Sequence, residues 1–270
     1  MMNLLNIELK KILPYSTFWV ILILVFALIP AVFYGIGQIQ IQGAPFDMKQ
    51  MYRFPGVWNN LTYLASWFNL LIGMLLVILV CNEFSFKTFR QQVIDGQSKS
   101  DFVISKIMVM VIISLASTIY LFLIGMLFGL TTTSGNVSMF ENIHYLGVYF
   151  IQAIGYMSVG FLLATIIRST ALSIIIFMLS ILIESIIQIF VPAGIERFFP
   201  MEIIANLTPN PIYQSMMVQA QQMQNMQMNG QVTPPQMDML SLGTTIMVAS
   251  IYIMLFWGVT YFILTKKDIR

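Results

Sequence analysis

Six long apolar runs dominate the pattern of hydrophobic and polar positions along the chain. They cover residues 17–37, 62–81, 107–130, 145–167, 171–191 and 243–264. A helix of about 20 residues, rising about 1.5 Å per residue, crosses the roughly 30 Å hydrocarbon core of a bilayer. The pattern therefore predicts an all-α integral membrane protein with six transmembrane helices.

A shorter amphipathic segment precedes the first run. Leu5, Leu9, Ile12 and Leu13 follow the i, i+4, i+7, i+8 spacing of one helical face, and Pro14 ends the pattern. Such a helix lies along a membrane surface with its apolar face in the acyl boundary. We expect an interfacial N-terminal helix before the first span.

Composition agrees with this interpretation and limits the classes of function. The chain is 58% hydrophobic and only 9% charged, whereas about 25% of residues are charged in soluble proteins. No stretch between the runs is long enough for a separate soluble domain, so we expect a single membrane domain over residues 1–270. Its largest connection is residues 192–241. The net charge of +2 is too small to indicate a nucleic-acid partner.

The distribution of Lys and Arg predicts the orientation. If the N-terminus is cytoplasmic, ten of the thirteen basic residues lie on the cytoplasmic side, in agreement with the positive-inside rule. An even number of spans returns the C-terminus to that side, and residues 192–241 then form an outer loop. We expect both termini in the cytoplasm and a multi-pass protein of the cell membrane, that is, the inner or plasma membrane. The ten residues are Lys10, Lys11, Lys87, Arg90, Lys99, Lys106, Arg168, Lys266, Lys267 and Arg270.

The inventory of chemically active residues argues against an enzyme. His144 is the only histidine, which excludes an HExxH zinc motif and bis-histidine haem ligation within the chain. A GxxxxGK[ST] phosphate loop is also absent from the sequence. We therefore expect no catalysis and no cofactor on this chain, and any ATP that drives it must bind another subunit.

The polar segment after the second run, residues 82–106, is unusually aromatic for a loop. Helical spacing puts three apolar side chains on one face with two basic residues beside them, and an Asp-Gly pair supplies a stop and turn. Such a surface suits docking into a partner's groove. A helix lying on the inner leaflet fits the same pattern. These residues are Phe86, Phe89, Val93, Lys87, Arg90, Asp95 and Gly96.

The order of these features resembles the permease subunits of type-2 ATP-binding-cassette (ABC) exporters. The resemblance covers essentially the whole chain: an amphipathic N-terminal helix, six spans, a patterned segment after the second span and a basic ending. The patterned segment carries Glu83, Thr88, Arg90, Gly96, Ser98, Phe102 and Lys106, and the ending carries Phe262, Lys266, Lys267, Asp268 and Ile269.

The resemblance implies a role for the segment after the second span. In that family it is a coupling helix that inserts into the ATPase subunit, which assigns coupling to Glu83, Thr88, Phe89 and Arg90 and onward to Gly96. Many members have Gly-Thr where this chain has Lys87-Thr88, and arginine where it has Lys99, so the match is one of pattern. The resemblance favours partner docking over the leaflet-bound helix.

The resemblance also implies partners and a function. The chain would be the permease of an exporter for an amphipathic, lipid-like or peptide substrate, paired with a second permease, identical or homologous. A separate ABC ATPase subunit would bind ATP and Mg²⁺. The alternative is a non-transporting membrane scaffold or sensor that docks a cytoplasmic protein. An ion-coupled carrier would carry several intramembrane charges, whereas only Glu184 clearly lies within an apolar run.

Four polar residues of the fifth run share one helical face. Ser173, Ser180, Glu184 and Gln188 recur at near-helical spacing, with Glu184 in the outer half of the bilayer. A carboxylate there costs about 2.5–3.5 kcal/mol on insertion scales. This face indicates a translocation path or subunit interface, and a neutral Glu184 hydrogen-bonded to another helix for packing is the alternative.

The outer loop is rich in methionine, which raises the question of a metal. Thioethers are soft ligands that favour Cu(I), so Met216, Met223 and Met226 form a candidate copper site. Flexible methionines also form adaptable apolar surfaces for a lipid, peptide or protein. Because the chain contains 21 methionines, we favour the apolar surface and expect no metal site.

Overall fold

The structure is a computed structural model that describes residues 2–39, 48–135, 137–192, 194–211 and 240–266. Within these ranges it is helical and contains no strand. Six of the described helices are long and apolar enough to cross a membrane, as the sequence predicts. They are α2 (Ser16–Gly37), α3 (Gly56–Ser85), α5 (Lys99–Thr132), α6 (His144–Ile167), α7 (Thr170–Gln188) and α9 (Leu242–Lys266).

The shorter elements connect these spans. Helix α1 (Met2–Ile12) precedes the first span, α4 (Thr88–Ile94) joins α3 to α5, and α8 (Pro200–Ala205) follows α7. Two 3₁₀ turns cover Met48–Tyr52 and Glu196–Phe198. Residues 212–239 of the long connection before the sixth span lie outside the described residues.

Five of the six predicted spans lie within the observed helices. The predicted span 171–191 is the exception, because it extends past the end of its helix. Helix α7 stops at Gln188, three residues before the predicted boundary at 191. Phe190 is 82% exposed beyond that point. Hydrophobicity alone does not mark this end, because residues 189–191 are apolar but no longer helical.

Helices α3 and α6 form the centre of the bundle. Buried residues make up 67% of the apolar window of α6 but only 17% of that of α7. A Cβ added at Gly160 of α6 would lie 2.9 Å from the carbonyl oxygen of Gly73 in α3. Glycine therefore permits the two backbones to approach each other directly, as small residues do between membrane helices.

Helix α2 contains Pro30, and a neighbouring helix compensates for the donor that proline lacks. The missing N–H leaves the carbonyl of Phe26 without its usual partner four residues on. The hydroxyl of Tyr120 in α5 donates to this oxygen at 2.5 Å. The two rings also stack, with centroids 4.4 Å apart. The α2–α5 contact thus stabilises the backbone around the proline.

The short helices α1 and α4 meet at one end of the bundle, which we call the α4 end. Helix α1 contacts α5 near the start of that helix. The guanidinium of Arg168, just after α6, lies 5.1 Å from the ring centre of Phe84. The amine of Lys99 donates to the carbonyl of Thr265 in α9 at 3.2 Å. The α4 end of the bundle thus contains several of the basic residues that the positive-inside rule assigned to the cytoplasmic side.

Candidate functional site

The segment after α3 folds into a short, separate helix with sharp turns at both ends. Lys87 has φ of 57° and Gly96 has φ of +94°, both in the left-handed region that favours glycine. Between them lies α4, and the hydroxyl of Thr88 donates to the carbonyl of Glu83 at 3.2 Å. The chain reverses here between two spans, so α4 lies at the tip of the α3–α5 hairpin.

A capping box begins the second arm of this hairpin. The Ser98 hydroxyl accepts from the backbone N–H of Asp101 at 3.1 Å, and the Asp101 carboxylate accepts from the backbone N–H of Ser98 at the same distance. Reciprocal bonds of this kind satisfy two otherwise unpaired helix donors. The start of α5 is therefore fixed two residues after the turn at Gly96.

Phe89 anchors α4 to the bundle. Its ring centre lies 4.6 Å from that of Phe102 in α5 and 5.4 Å from that of Phe84 in α3, and the side chain is buried. Phe86 lies before α4 and is 74% exposed, as is Ile94 at the end of the helix. The shared docking face predicted for Phe86, Phe89 and Val93 is thus wrong, because Phe89 points into the bundle and Val93 is half-buried.

The outward side of α4 combines two apolar side chains with charges. Arg90 on α4, Lys87 before it and Asp95 after it are all exposed. Along the chain Phe86 precedes Lys87, and Ile94 lies between Arg90 and Asp95. We call Phe86, Lys87, Arg90, Ile94 and Asp95 the α4 surface; it is the part of the predicted site that remains available to a partner.

Glu83 has a different place from the one the sequence suggested. It is buried at the end of α3 and forms an ion pair with Lys106 of α5. Lys106 also pairs with Glu8 of α1, and Lys11 lies 3.0 Å from Glu8 and 3.6 Å from Glu83. These four residues form the ionic cluster, with two negative and two positive charges.

The ionic cluster links α1 to the end of α3, just before α4. Lys106 and Glu8 are each 1% exposed, and such burial is tolerated only when opposite charges compensate each other. Burial by itself raises the pKa of the Glu8 carboxyl, but Lys106 and Lys11 outweigh this and hold the pKa below its ordinary value of 4.5. Glu8 is therefore ionised at neutral pH.

Sequence reasoning missed this cluster. It used Lys106 only as part of a motif and as one of the basic residues, and did not connect it with Glu8. The available signal was the charge of Lys106 next to the third apolar run, since a lysine there needs a partner.

The structure places the four polar residues predicted on the fifth span along the inward side of α7. Ser173 and Glu184 are buried, and Ser180 and Gln188 are half-buried. Both carboxylate oxygens of Glu184 accept from the backbone N–H of Met201, at 2.8 and 3.1 Å. Glu184 thus joins α7 to the start of α8.

A small cavity of about 50 Å³ lies beside Glu184. Its lining includes Gln188 of α7, Tyr156 of α6 and Glu202 of α8. The cavity is at the end of the bundle opposite α4, because α7 starts at the α4 end. A polar cavity of this size suits water or a small polar group.

A buried amide network, absent from the sequence prediction, fixes α8 from the other side. The amide of Gln152 in α6 donates to the carbonyls of Ile204 and Ala205 at 3.0 and 3.1 Å and to Thr208 at 3.0 Å. Asn69 of α3 donates to Gln152 at 3.2 Å. Helix α8 is therefore held within the bundle by side chains from α6 and α7, and Asn69 of α3 supports Gln152 from behind.

The proposed copper ligands Met216, Met223 and Met226 lie outside the described residues. In the part of the chain that the structure describes, no group of three or more His, Cys, Asp or Glu side chains is arranged to hold a metal ion.

The comparisons with known proteins assign a family but no function. No curated protein matches the chain. A family described as "Protein of unknown function (DUF2705)" matches residues 23–270, which takes in most of the first span and all of the other five. The chain belongs to this family.

Proposed function

We propose that the chain is the membrane-spanning permease subunit of an ATP-driven ABC exporter. In this proposal the α4 surface docks into a cytoplasmic ATPase subunit, which binds ATP and Mg²⁺. The proposal rests on the structure of α4. It is a short helix of one to two turns between two left-handed residues; the buried Phe89 packs it against the bundle, and Phe86 and Ile94 are exposed.

The conformation of Lys87 supports the resemblance at one position. Related permeases often carry Gly-Thr where this chain has Lys87-Thr88. Lys87 has φ of 57°, and glycine adopts this region without the steric cost of a Cβ. The two sequence patterns are thus compatible with one backbone path at the start of the coupling helix.

Two further features suit force transmission. Helix α4 is fixed to two long spans through the Phe84–Phe89–Phe102 contacts. The ionic cluster connects its root to α1. A displacement of α4 by a partner would therefore reach α1, α3 and α5 together, because α4 contacts α3 and α5 directly and the ionic cluster joins α1 to both.

The remaining components of the proposal are a second permease and the substrate. The outward face of α7 exposes large apolar side chains at helical spacing, which suits lipid or a second permease. They include Leu172, Ile175, Leu179, Leu182 and Ile186. In this proposal both termini and the α4 end are cytoplasmic, and an amphipathic, lipid-like or peptide substrate leaves across the cell membrane.

The test is copurification of an ATPase with the chain and its dependence on Phe86. Full burial of a phenylalanine in a groove contributes about 1.5–3 kcal/mol, so Phe86→Ala should weaken the complex roughly tenfold to a hundredfold. Arg90→Glu should weaken it further and alter its salt dependence. Phe140→Ala is the matched control, because Phe140 is 60% exposed in the loop between α5 and α6.

The outcomes separate the two functions. Loss of ATPase binding and of coupled ATP hydrolysis in Phe86→Ala, with Phe140→Ala unchanged, supports the permease. If the chain purifies with a cytoplasmic protein that has no nucleotide-binding site, the scaffold or sensor takes its place. Phe89→Ala is unsuitable as a probe, because loss of its buried ring would disturb the packing of α4 against α3 and α5.

A further inference from the structure

A lateral cleft of about 120 Å³ lies between α2, α3 and α5. Phe18 and Val25 of α2 and Ile72 of α3 are buried in its wall. On α5 its lining includes Ala116, which is exposed. Larger exposed side chains, among them Leu115, flank Ala116 on the surface of α5, so the small alanine leaves the cleft open toward the surrounding bilayer.

The chemistry of the cleft suits hydrocarbon and no polar group. Its lining side chains are aliphatic or aromatic apart from Ser117. The Ser117 hydroxyl already donates to the carbonyl of Ser114 at 2.9 Å. An apolar cavity of comparable volume, about 150 Å³, is known to accept benzene. Neither an ion nor a lipid headgroup has a partner here, whereas a chain of methylene groups does.

The length of the cleft corresponds to one leaflet. On α2 the lining runs from Phe18 to Phe26, eight residues or about 12 Å at 1.5 Å per residue. Half of a hydrocarbon core of roughly 30 Å is about 15 Å. The cleft begins near the α4 end, two residues after the start of α2. It ends one turn below Tyr120, whose ring stacks on Phe26.

We propose that this cleft holds one acyl chain of a bilayer phospholipid from the leaflet at the α4 end. At about 120 Å³ the cleft is too small for a helix of a second copy, since a helix with its side chains is about 10 Å across. The proposal is independent of the exporter function, because it concerns a resident lipid and requires no ATPase.

The test measures lipid retained by the purified chain. The protein is stripped of lipid in detergent, mixed with dioleoyl phosphatidylglycerol and observed by native mass spectrometry. Ala116→Phe fills the mouth of the cleft and should lower the affinity for the phospholipid by about tenfold. Ala116→Leu should give a smaller decrease. Leu123→Phe is the matched control, because Leu123 is 59% exposed on the same helix outside the cleft.

The expected result is a single phospholipid on the wild type and on Leu123→Phe, with progressive loss in Ala116→Leu and Ala116→Phe. Equal retention in all four proteins overturns the proposal, as does the absence of a bound lipid on the wild type. Dissociation of a dimer by the Ala116 variants with no change in lipid would mean that a side chain of a second copy occupies the cleft, and would also overturn it. Ala116→Leu still provides the measurement if Ala116→Phe does not fold.

Discussion

Replacing Lys106 tests whether the ionic cluster stabilises the fold. Lys106 is 1% exposed and pairs with both Glu8 and Glu83. Lys106→Met keeps the apolar part of the side chain but leaves two buried carboxylates with Lys11, whose side chain is 29% exposed. Removing one partner of a buried ion pair costs about 3–5 kcal/mol, because the remaining charge stays buried.

The assay is thermal unfolding of the detergent-solubilised protein. At about 2–4 °C per kcal/mol for a chain of this size, the midpoint of Lys106→Met should lie roughly 6–20 °C below that of the wild type. Lys10→Met is the matched control: Lys10 is an exposed lysine on α1, and substitutions at such sites change stability by about 0.5 kcal/mol or less.

A double variant makes the test sharper. Adding Glu83→Gln to Lys106→Met removes one of the two stranded carboxylates, so it should recover part of the lost stability. A midpoint for Lys106→Met within about 2 °C of the wild type would refute the reasoning. So would a double variant that is less stable than Lys106→Met, because two independent losses would add instead of compensating each other.

Three further predictions follow from single contacts. The pKa of Glu8 is lowered in the folded protein, so its stabilising contribution is present above pH 4.5 and is lost as the pH falls through the lowered pKa; Glu8→Gln should flatten the acid limb of a stability profile measured from pH 3 to 7. Tyr120→Phe leaves the Phe26 carbonyl without its donor and should cost about 1–3 kcal/mol in denaturant unfolding, whereas an unchanged midpoint would contradict the role given to Tyr120. Lys87→Gly relieves a left-handed residue and should raise stability by about 1 kcal/mol in denaturant unfolding; a loss of stability would show that the lysine side chain matters more than its backbone.

Hydropathy was sufficient to predict the six long helices but not their full extent. Helix α3 begins at Gly56 and ends at Ser85, beyond the predicted span of 62–81, because polar residues at both ends are buried by neighbouring elements. Asn59 and Glu83 are examples. A window that scores apolarity ends where such residues begin.

The candidate site was predictable in position and only partly in detail. The Asp-Gly turn and the aromatic segment indicated α4 correctly. Which phenylalanine points inward depends on Phe84 and Phe102, which come from different helices. The partners of Glu83 also come from two other helices. Contacts between residues on different helices produce no periodic pattern in a single sequence, so they could not be predicted from it.

The ionic cluster also sets an order of biosynthesis. Glu8 is translated 98 residues before Lys106. A ribosome must therefore deliver the first two spans and begin the third before α1 can find its permanent place. A nascent chain stopped after the second span would carry α1 without Lys106, so α1 is made before α5 but reaches its final contacts only once α5 has begun.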